Sequence, residues 1–262
     1  RLNLNICHIV ITKNNILMKK IKNPTACIII IGNEILSGRT LDTNKNYICK
    51  ELTMIGIDVI EARVIKDDIK KIISVINEVR KKYDYIFTTG GIGPTHDDVT
   101  AISIAKAFKV KLKKNKKALN ILKKYYKTKK IPINDAKEKM ALIPHGAELL
   151  HNPITKAAGF RMKNVYVMAG IPEIMIAMFK RIIRNIKVGN PKITKNISIN
   201  LPESDIAEHL SKIQKEFDEI EIGSYPLFKN KKKKVNLVLT GFHKIDINQA
   251  EKKIKQFIKF IK

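Results

Sequence analysis

The chain has 262 residues, 44% of them hydrophobic, which is enough to bury one sizeable core and a smaller second one. Its formal net charge of +27 raises nucleic acid as a partner, but lysines occur along almost the whole chain, so we favour a compositional bias over a nucleic-acid surface. The three cysteines form no CxxC pair, which excludes a zinc knuckle and a disulfide framework and fits a reducing cytoplasm.

The N-terminal segment is not expected to carry function. Its apolar run is interrupted by Asn, His and Lys and falls short of the roughly 18 apolar residues of a membrane span, so neither export nor membrane insertion is predicted. Met18 resembles an ordinary start, and residues 1–17 are then upstream translation or a flexible lead. We place the first domain from residue 24 onward, after a lead of residues 1–23.

Strands and helices alternate from residue 27 onward. The predicted order is strand (27–32), helix (Ile48, Leu52 and Ile55 on one face), strand (57–65), helix (68–79), strand (84–89) and helix (from near Val99). The first strand, CIIIIG, is a continuous apolar run, which is typical of a strand covered on both faces. The fold class is therefore α/β with a mostly parallel, doubly wound sheet.

The second half of the chain changes character near Asn190. Before it, the lysine-rich residues 109–130 are predicted as a helix with a solvated face, a hairpin is expected to turn at Lys163-Asn164, and a helix to begin near Pro172. After it come strand, helix, strand, strand and helix, with a hairpin tip at 230–234. We predict a main domain over 24–188 and a small α+β domain over 189–262.

A glycine-rich loop follows the third strand, in the sequence TTGGIGPTHDD. Gly90, Gly91 and Gly93 allow backbone N–H groups to approach a phosphate, next to the N-terminus of the following helix. The loop has neither the Walker Lys-Ser/Thr pair nor the dinucleotide GxGxxG spacing. Asp97 and Asp98 beside a phosphate suggest a hard divalent cation, although the alternative is that one of them merely caps the helix.

A second acidic loop follows the first strand. Because parallel strands end at one edge of a sheet, its polar residues are expected near the glycine loop: Asn33, Glu34, Ser37, Asp42 and Asn44. Asp42 with Thr43 is also a plausible helix N-cap. Together the two loops favour a mixed carboxylate and phosphate site.

These segments resemble a known family. TTGGIGPTHDDVT is similar to the signature loop of the MoaB/Mog molybdopterin-binding domain, and GNEILSGRTLDTN to the first-strand loop of its CinA branch. KMALIPHGAELLHNP, AAGF, AGIPEIM and IGSYP are further similar segments, so the resemblance covers residues 24 to about 260. It implies a three-layer α/β domain, related also to the N-terminal domain of eukaryotic FAD synthase, and a homo-oligomer.

The resemblance also implies roles for individual residues. It implies that acids at Asp42 and Asp98 support metal-dependent chemistry at a phosphate. Our hypothesis therefore gives the divalent metal (Mg, Mn or Co) to Asp42 and Asp98, with Glu34 as a candidate third ligand, and the orientation of the attacking water to Asp97 or Glu34. The implied phosphate or ligand contacts are Thr89, Gly90, Gly91, Gly93, Ser37, Asn44, Thr100 and Asn152. Met168, Met175 and Met178 are expected in the core.

The leading hypothesis for function is a metal-dependent pyrophosphatase acting on a nucleotide such as ADP-ribose or FAD. The alternatives are molybdopterin binding or adenylyl transfer without hydrolysis, and a non-enzymatic interaction protein. The chain ends near where the amidase domain of the resembling proteins would begin, so nicotinamide-nucleotide deamidation is not expected. Thr155 to Gly159 and Ala169 depart from the usual family loops, which bears on the choice of substrate.

Overall fold

The computed structural model describes residues 22–229 and 232–260, so the predicted lead at 1–17 lies outside the described residues and the predicted tip at 230–234 lies partly outside them. The strands are β1 (Thr25–Ile31), β2 (Asp58–Ile65), β3 (Tyr85–Thr89), β4 (Leu112–Lys114), β5 (Leu142–Pro144), β6 (Glu148–Leu150), β7 (Gly159–Met162), β8 (Val165–Met168), β9 (Ile193–Ile199), β10 (Glu221–Lys229) and β11 (Lys232–Gly241). The helices are α1 (Asn33–Leu36), α2 (Asn44–Met54), α3 (Ile69–Val79), α4 (Thr100–Ala107), α5 (Lys116–Thr128), α6 (Asp135–Lys139), α7 (Pro172–Ile182), α8 (Glu203–Glu216) and α9 (Lys244–Phe260).

A six-stranded sheet in the order β2-β1-β3-β8-β7-β6 forms the centre of the larger domain. The first four strands in that order run parallel, and β7 and β6 are antiparallel additions. One apolar cluster joins α3 and α4 to one face of the sheet, and another joins α2 and α7 to the opposite face. The predicted three-layer α/β architecture with a mostly parallel sheet is confirmed.

The strand β1 shows why the sheet must be covered on both sides. Residues 26–31 are each at most 3% exposed, although their side chains alternate between the two faces. The continuous run of isoleucine therefore contributes side chains to the apolar clusters on both faces of the sheet. The three methionines predicted in the core, Met168, Met175 and Met178, are buried as expected.

The lysine-rich stretch 109–130 differs from its prediction. It is not one helix, because Leu112–Lys114 pairs antiparallel with β5 before α5 begins. Asn115 ends that strand and caps α5 by accepting the N–H of Ala118 at 3.0 Å. A strong helix cap inside the basic run thus separates two elements that share one composition.

The predicted hairpin at Lys163-Asn164 is confirmed, with β7 and β8 pairing antiparallel. The Asn164 side chain donates to the carbonyl oxygens of Arg80 at 3.1 Å and Tyr83 at 2.9 Å. These bonds fix the hairpin to the chain that leaves α3 and enters β3. They hold β8 next to β3, the position that the site requires.

The smaller domain has its own sheet and core. Its strands pair antiparallel in the order β10-β11-β9, and α8 and α9 pack on the sheet around a separate apolar cluster. Leu237, Leu239 and Ile254 are fully buried there. None of the helices in the described ranges is long and apolar enough to cross a membrane.

Candidate functional site

Glycines lie at the carboxyl ends of three adjacent parallel strands. Gly32 follows β1, Gly90 follows β3, and Gly170 comes shortly after β8. Gly90 has a φ of +101°, and a Cβ there would lie 2.0 Å from the carbonyl oxygen of Ile31. A Cβ on Gly170 would lie 3.2 Å from the Cα of Gly90, so the backbones of neighbouring strand ends approach each other closely.

A cleft of about 480 Å³ opens at this edge of the sheet. Of the residues predicted for the site, it is lined by Glu34, Gly90, Gly91, Gly93, Asp97, Asp98 and Asn152. Asp67, Tyr126 and Met140, which the sequence analysis did not select, line it as well. The sheet edge therefore brings the glycine loop and the Glu34 loop together, as the parallel topology predicts.

The carboxylates of the glycine loop are held by Thr95. Asp98 Oδ2 accepts the N–H of Thr95 at 2.8 Å and lies 2.6 Å from its hydroxyl oxygen, which is 2.5 Å from Asp97 Oδ1. The hydrogen bond from the Thr95 hydroxyl lowers the pKa of Asp97. Neither Asp97 nor Asp98 caps α4, whose N-cap Val99 has no side-chain hydrogen bond, so the simple capping interpretation is wrong.

Asp67 adds a further carboxylate to the cleft. It follows β2, and its Oδ2 accepts the backbone N–H of Asn33 at 2.9 Å. Its pKa is raised, first by burial and then by the negative charges of Glu34, Asp97 and Asp98. Its position in the sequence could have indicated Asp67 as a site residue, because it follows a parallel strand, as do the glycine loop and the Glu34 loop.

Asp42 differs from these acids in that it does not line the cleft. Its Oδ1 accepts the N–H of Lys45 at 3.1 Å in the first turn of α2, although the N-cap residue is Thr43, whose side chain makes no capping hydrogen bond. Its Oδ2 is buried without a hydrogen-bond partner, and Asp42 does not line the cleft that Asp98 lines. Within residues 22–229 and 232–260, no three or more His, Cys, Asp or Glu side chains are grouped closely enough to hold a metal by themselves.

Asn44 and Thr100 support the floor of the cleft from below. The Asn44 side chain is buried and donates to the carbonyl oxygen of Gly170 at 2.6 Å. The Thr100 hydroxyl donates to the carbonyl oxygen of Gly90 at 3.0 Å, and its amide to that of Gly91 at 2.9 Å. Both side chains hold loop backbone in place and do not line the cleft.

Two other predicted ligand contacts are also placed outside the cleft lining. Thr89 is 1% exposed, and its hydroxyl has no hydrogen-bond partner among the described residues. Ser37 is exposed, and its hydroxyl donates to the carbonyl oxygen of Glu34 at 3.2 Å. The Ser37 bond therefore supports the turn that carries Glu34.

Asn152 lines the cleft but uses its side chain to shape its own loop. Its Oδ1 accepts the N–H groups of Ile154 and Thr155, and its Nδ2 donates to the Thr155 hydroxyl and the Ala157 carbonyl. All four bonds are between 2.7 and 3.1 Å, and Asn152 is only 2% exposed. The same loop contains Lys156 at a φ of +63°, which is uncommon for a residue with a Cβ.

The N-terminus of α7 also faces the cleft, which Gly170, Ile171 and Ile174 line. No side chain caps this helix, and Pro172 occupies its first turn. The amide of Met175 is bonded to the carbonyl oxygen of Ile171, so the amides before it have no partner within the helix. Such a terminus binds anions through free N–H groups and the positive end of the helix dipole.

Comparisons with known proteins agree with this architecture. Residues 27–188 match the family described as "Probable molybdopterin binding domain", and residues 191–260 match "FAD synthase, middle domain". A protein of Archaeoglobus fulgidus is 35% identical over 230 residues (88% of this chain, 95% of that protein), and one of Metallosphaera sedula is 35% identical over 201 residues (73% and 76%). The crystal structure of CinA from Thermoplasma acidophilum is similar with a TM-score of 0.58 at 32% identity, covering 63% of this chain and 98% of that one.

Proposed function

Because the chain belongs to the molybdopterin-binding domain family, as its motifs predicted, we propose that its cleft binds a phosphorylated nucleotide or pterin. We further propose that the protein hydrolyses a phosphoanhydride of that ligand. The observation that carries the proposal is the group of carboxylates around a glycine loop. Glu34, Asp67, Asp97 and Asp98 line the cleft that Gly90, Gly91 and Gly93 also line. Anionic side chains next to an anion-binding loop require a cation between them and the phosphates.

The carboxylate set fits a divalent cation that is shared with the ligand. Mg²⁺ is usually held by one or two protein carboxylates, and phosphate oxygens and water complete its six ligands. The absence of a three-residue metal cluster from the described ranges is consistent with such a shared site. Asp98, whose Oδ2 is already oriented by Thr95, would hold the cation. The family also implies Asp42 as a ligand, but Asp42 does not line the cleft, so its role is tested separately.

Each group in the cleft then has a distinct task. The backbone amides of the glycine loop and of the α7 N-terminus bind the phosphates. When bound, a divalent cation neutralises the charge that develops on the transferring phosphoryl group. Asp97 or Glu34 orients the attacking water. Because the pKa of Asp97 is lowered, its carboxylate is ionised near neutral pH and can accept a hydrogen bond from that water.

A second candidate function is ligand binding without hydrolysis. The description of the matching family favours it, because molybdopterin itself is a phosphorylated pterin. The same amides and cation would hold its phosphate. The two candidates therefore differ only in whether a water is activated beside the bound phosphate.

The test is release of AMP from ADP-ribose and from FAD by the purified protein with Mg²⁺, Mn²⁺ or Co²⁺. Asp98→Ala is expected to lower the rate about a hundredfold or more, because the cation that neutralises the transferring phosphoryl group loses a protein ligand. Glu208→Gln, an exposed acid of the smaller domain, is the matched control and is expected to stay within about twofold. No AMP with any metal, together with tight pterin binding, would favour the second candidate.

Asp42→Ala in the same assay separates two roles for that residue. A loss as large as that of Asp98→Ala would support the metal role that the family implies. A small loss of activity with a clear loss of stability would show that Asp42 acts as the cap of α2, as its bond to the Lys45 amide suggests.

A further inference from the structure

One wall of the cleft is apolar and aromatic and has no part in the proposed chemistry. Tyr126 from α5 and Met140 at the end of α6 line the same cleft as the carboxylates. Among the described residues that line it, Tyr126 is the only aromatic one. A cleft with charges on one wall and a ring on another suits a ligand that carries both phosphates and a planar ring.

The Tyr126 ring is held in place by its surroundings. It packs with Met140 and Ala157 against a small apolar cluster that includes Leu122. The Tyr125 ring meets it edge to face, with centroids 5.4 Å apart. Burial raises the pKa of the Tyr126 phenol, so the ring carries no charge that would repel an anionic ligand.

Lys137 adds a cation to one side of this ring. Its Nζ lies 5.0 Å from the ring centroid and donates to the carbonyl oxygen of Pro132 at 2.6 Å. The ammonium further restricts the position of a ring that lines the cleft. The aromatic wall is thus ordered before any ligand arrives, which lowers the entropy lost on binding.

We propose that Tyr126 is a specificity-determining residue that stacks on the planar heteroaromatic ring of a ligand whose phosphates lie at the glycine loop. The proposal rests on the proposed function for the phosphate position, but it concerns binding and not hydrolysis. Stacking on an aromatic side chain is tolerant of which ring is bound, because every such ring offers a π-face. Met140 beside it has a flexible thioether that adapts to ring shape.

A fluorescence experiment tests the contact directly. The chain contains no tryptophan, so Tyr126→Trp places a single indole at the wall of the cleft. With Mg²⁺ present, ADP-ribose and FAD are expected to quench its emission saturably, whereas inorganic pyrophosphate, which has phosphates but no ring, is expected to change it little. If neither ring-bearing compound quenches the indole more than pyrophosphate does, the proposal is wrong.

Binding measurements on two further variants test selectivity. Tyr126→Phe keeps the ring and is expected to bind ADP-ribose within about twofold of the unmodified protein, whereas Tyr126→Leu keeps apolar packing without the ring and is expected to bind about tenfold more weakly. Pyrophosphate binding should be equal in all three proteins, which also shows that the leucine variant is folded. Equal weakening for both ligands would indicate a structural role only and overturn the proposal.

The outcomes separate this inference from the proposed function. Ring-dependent binding without AMP release would uphold the role of Tyr126 and reject hydrolysis. AMP release that is unaffected in Tyr126→Leu, with KM unchanged, would uphold hydrolysis and reject the role of Tyr126.

Discussion

The two sheets of this protein differ in the relative directions of their strands, and therefore in the edges at which those strands end. In the six-stranded sheet, β2, β1, β3 and β8 run parallel, so the loops that follow them meet at one edge. In the three-stranded sheet, each strand is antiparallel to its neighbour, so the carboxyl end of β11 lies at the opposite edge from those of β9 and β10. In the larger sheet, the segments that follow all four parallel strands contribute residues to one cleft.

The acidic residues of the two domains differ accordingly. In the smaller domain, Glu251 pairs with Lys195 and with Lys255, and the hydrogen bond from Lys195 is the main cause of its lowered pKa. At the cleft, Asp67 accepts a backbone N–H, and burial and neighbouring carboxylates raise its pKa. Glu251 is thus neutralised by lysines of its own domain, whereas the charged groups that raise the pKa of Asp67 are further carboxylates.

The largest expected effect is on the glycine floor of the cleft. Gly90→Ala is expected to lower the free energy of unfolding by about 3 kcal/mol or more, because the new Cβ adds a clash with a backbone oxygen to the strain of a positive φ. Denaturant unfolding measures it. Gly38→Ala is the matched control, since Gly38 has a φ of +73° but nothing within 4 Å of a Cβ, and its loss is expected to be near 1 kcal/mol.

A smaller effect is expected for the bond that holds the loop after β8. Asn44→Ala removes a buried donor to Gly170 and is expected to lower the free energy of unfolding by about 1–3 kcal/mol. In the smaller domain, Asn248→Ala removes an exposed bond from Lys195 and is expected to change it by less than about 0.5 kcal/mol. Equal losses at both positions would argue against a special rigidity of the cleft floor.

The smallest expected effect is a pH dependence of opposite sign in the two domains. The raised pKa of Asp67 means that the native state binds the Asp67 proton more tightly than the unfolded state does. The contribution of Asp67 to stability therefore decreases as pH rises from the ordinary aspartate value to the raised one. Asp67→Asn should therefore gain stability relative to the unmodified protein as pH rises above the ordinary aspartate value of about 3.9. Thermal unfolding across this range measures the difference.

Glu251→Gln is the counterpart in the smaller domain. The lowered pKa of Glu251 gives stability that is present above the ordinary glutamate value and is lost as pH falls through the lowered value. Its glutamine variant should accordingly lose stability relative to the unmodified protein as pH rises. The same sign for both variants would contradict the contrast between the two domains.

Much of the fold was predictable because local patterns were strong. The isoleucine run of β1, the spacing of Ile48 and Leu52 in α2, and Pro172 at the start of α7 each predicted an element that the structure contains. The division of residues 109–130 into a strand and a helix was not predicted, because lysines dominate both β4 and α5 and only Asn115 separates them. Composition alone cannot distinguish a short edge strand from the first turn of a helix.

The site was only partly predictable, and Asp67 shows why. It lies 34 positions from Asn33, whose amide it binds, and the two meet only because β2 pairs beside β1. Tyr126 was likewise passed over, because its contact with the cleft depends on how α5 packs near Met140 and Ala157. No local periodicity encodes either neighbour.

The sequence by itself determined the first three strands and the helices that follow them, the family, and the presence of a glycine loop with Asp97 and Asp98 at a strand end. These features depend on residue type and on spacings of a few positions. Only the tertiary structure decided that Asp67 and Tyr126 line the cleft and that Asp42 does not. Strand order and helix packing bring together residues far apart in the chain, and those long-range pairings select which polar and aromatic groups share one cleft.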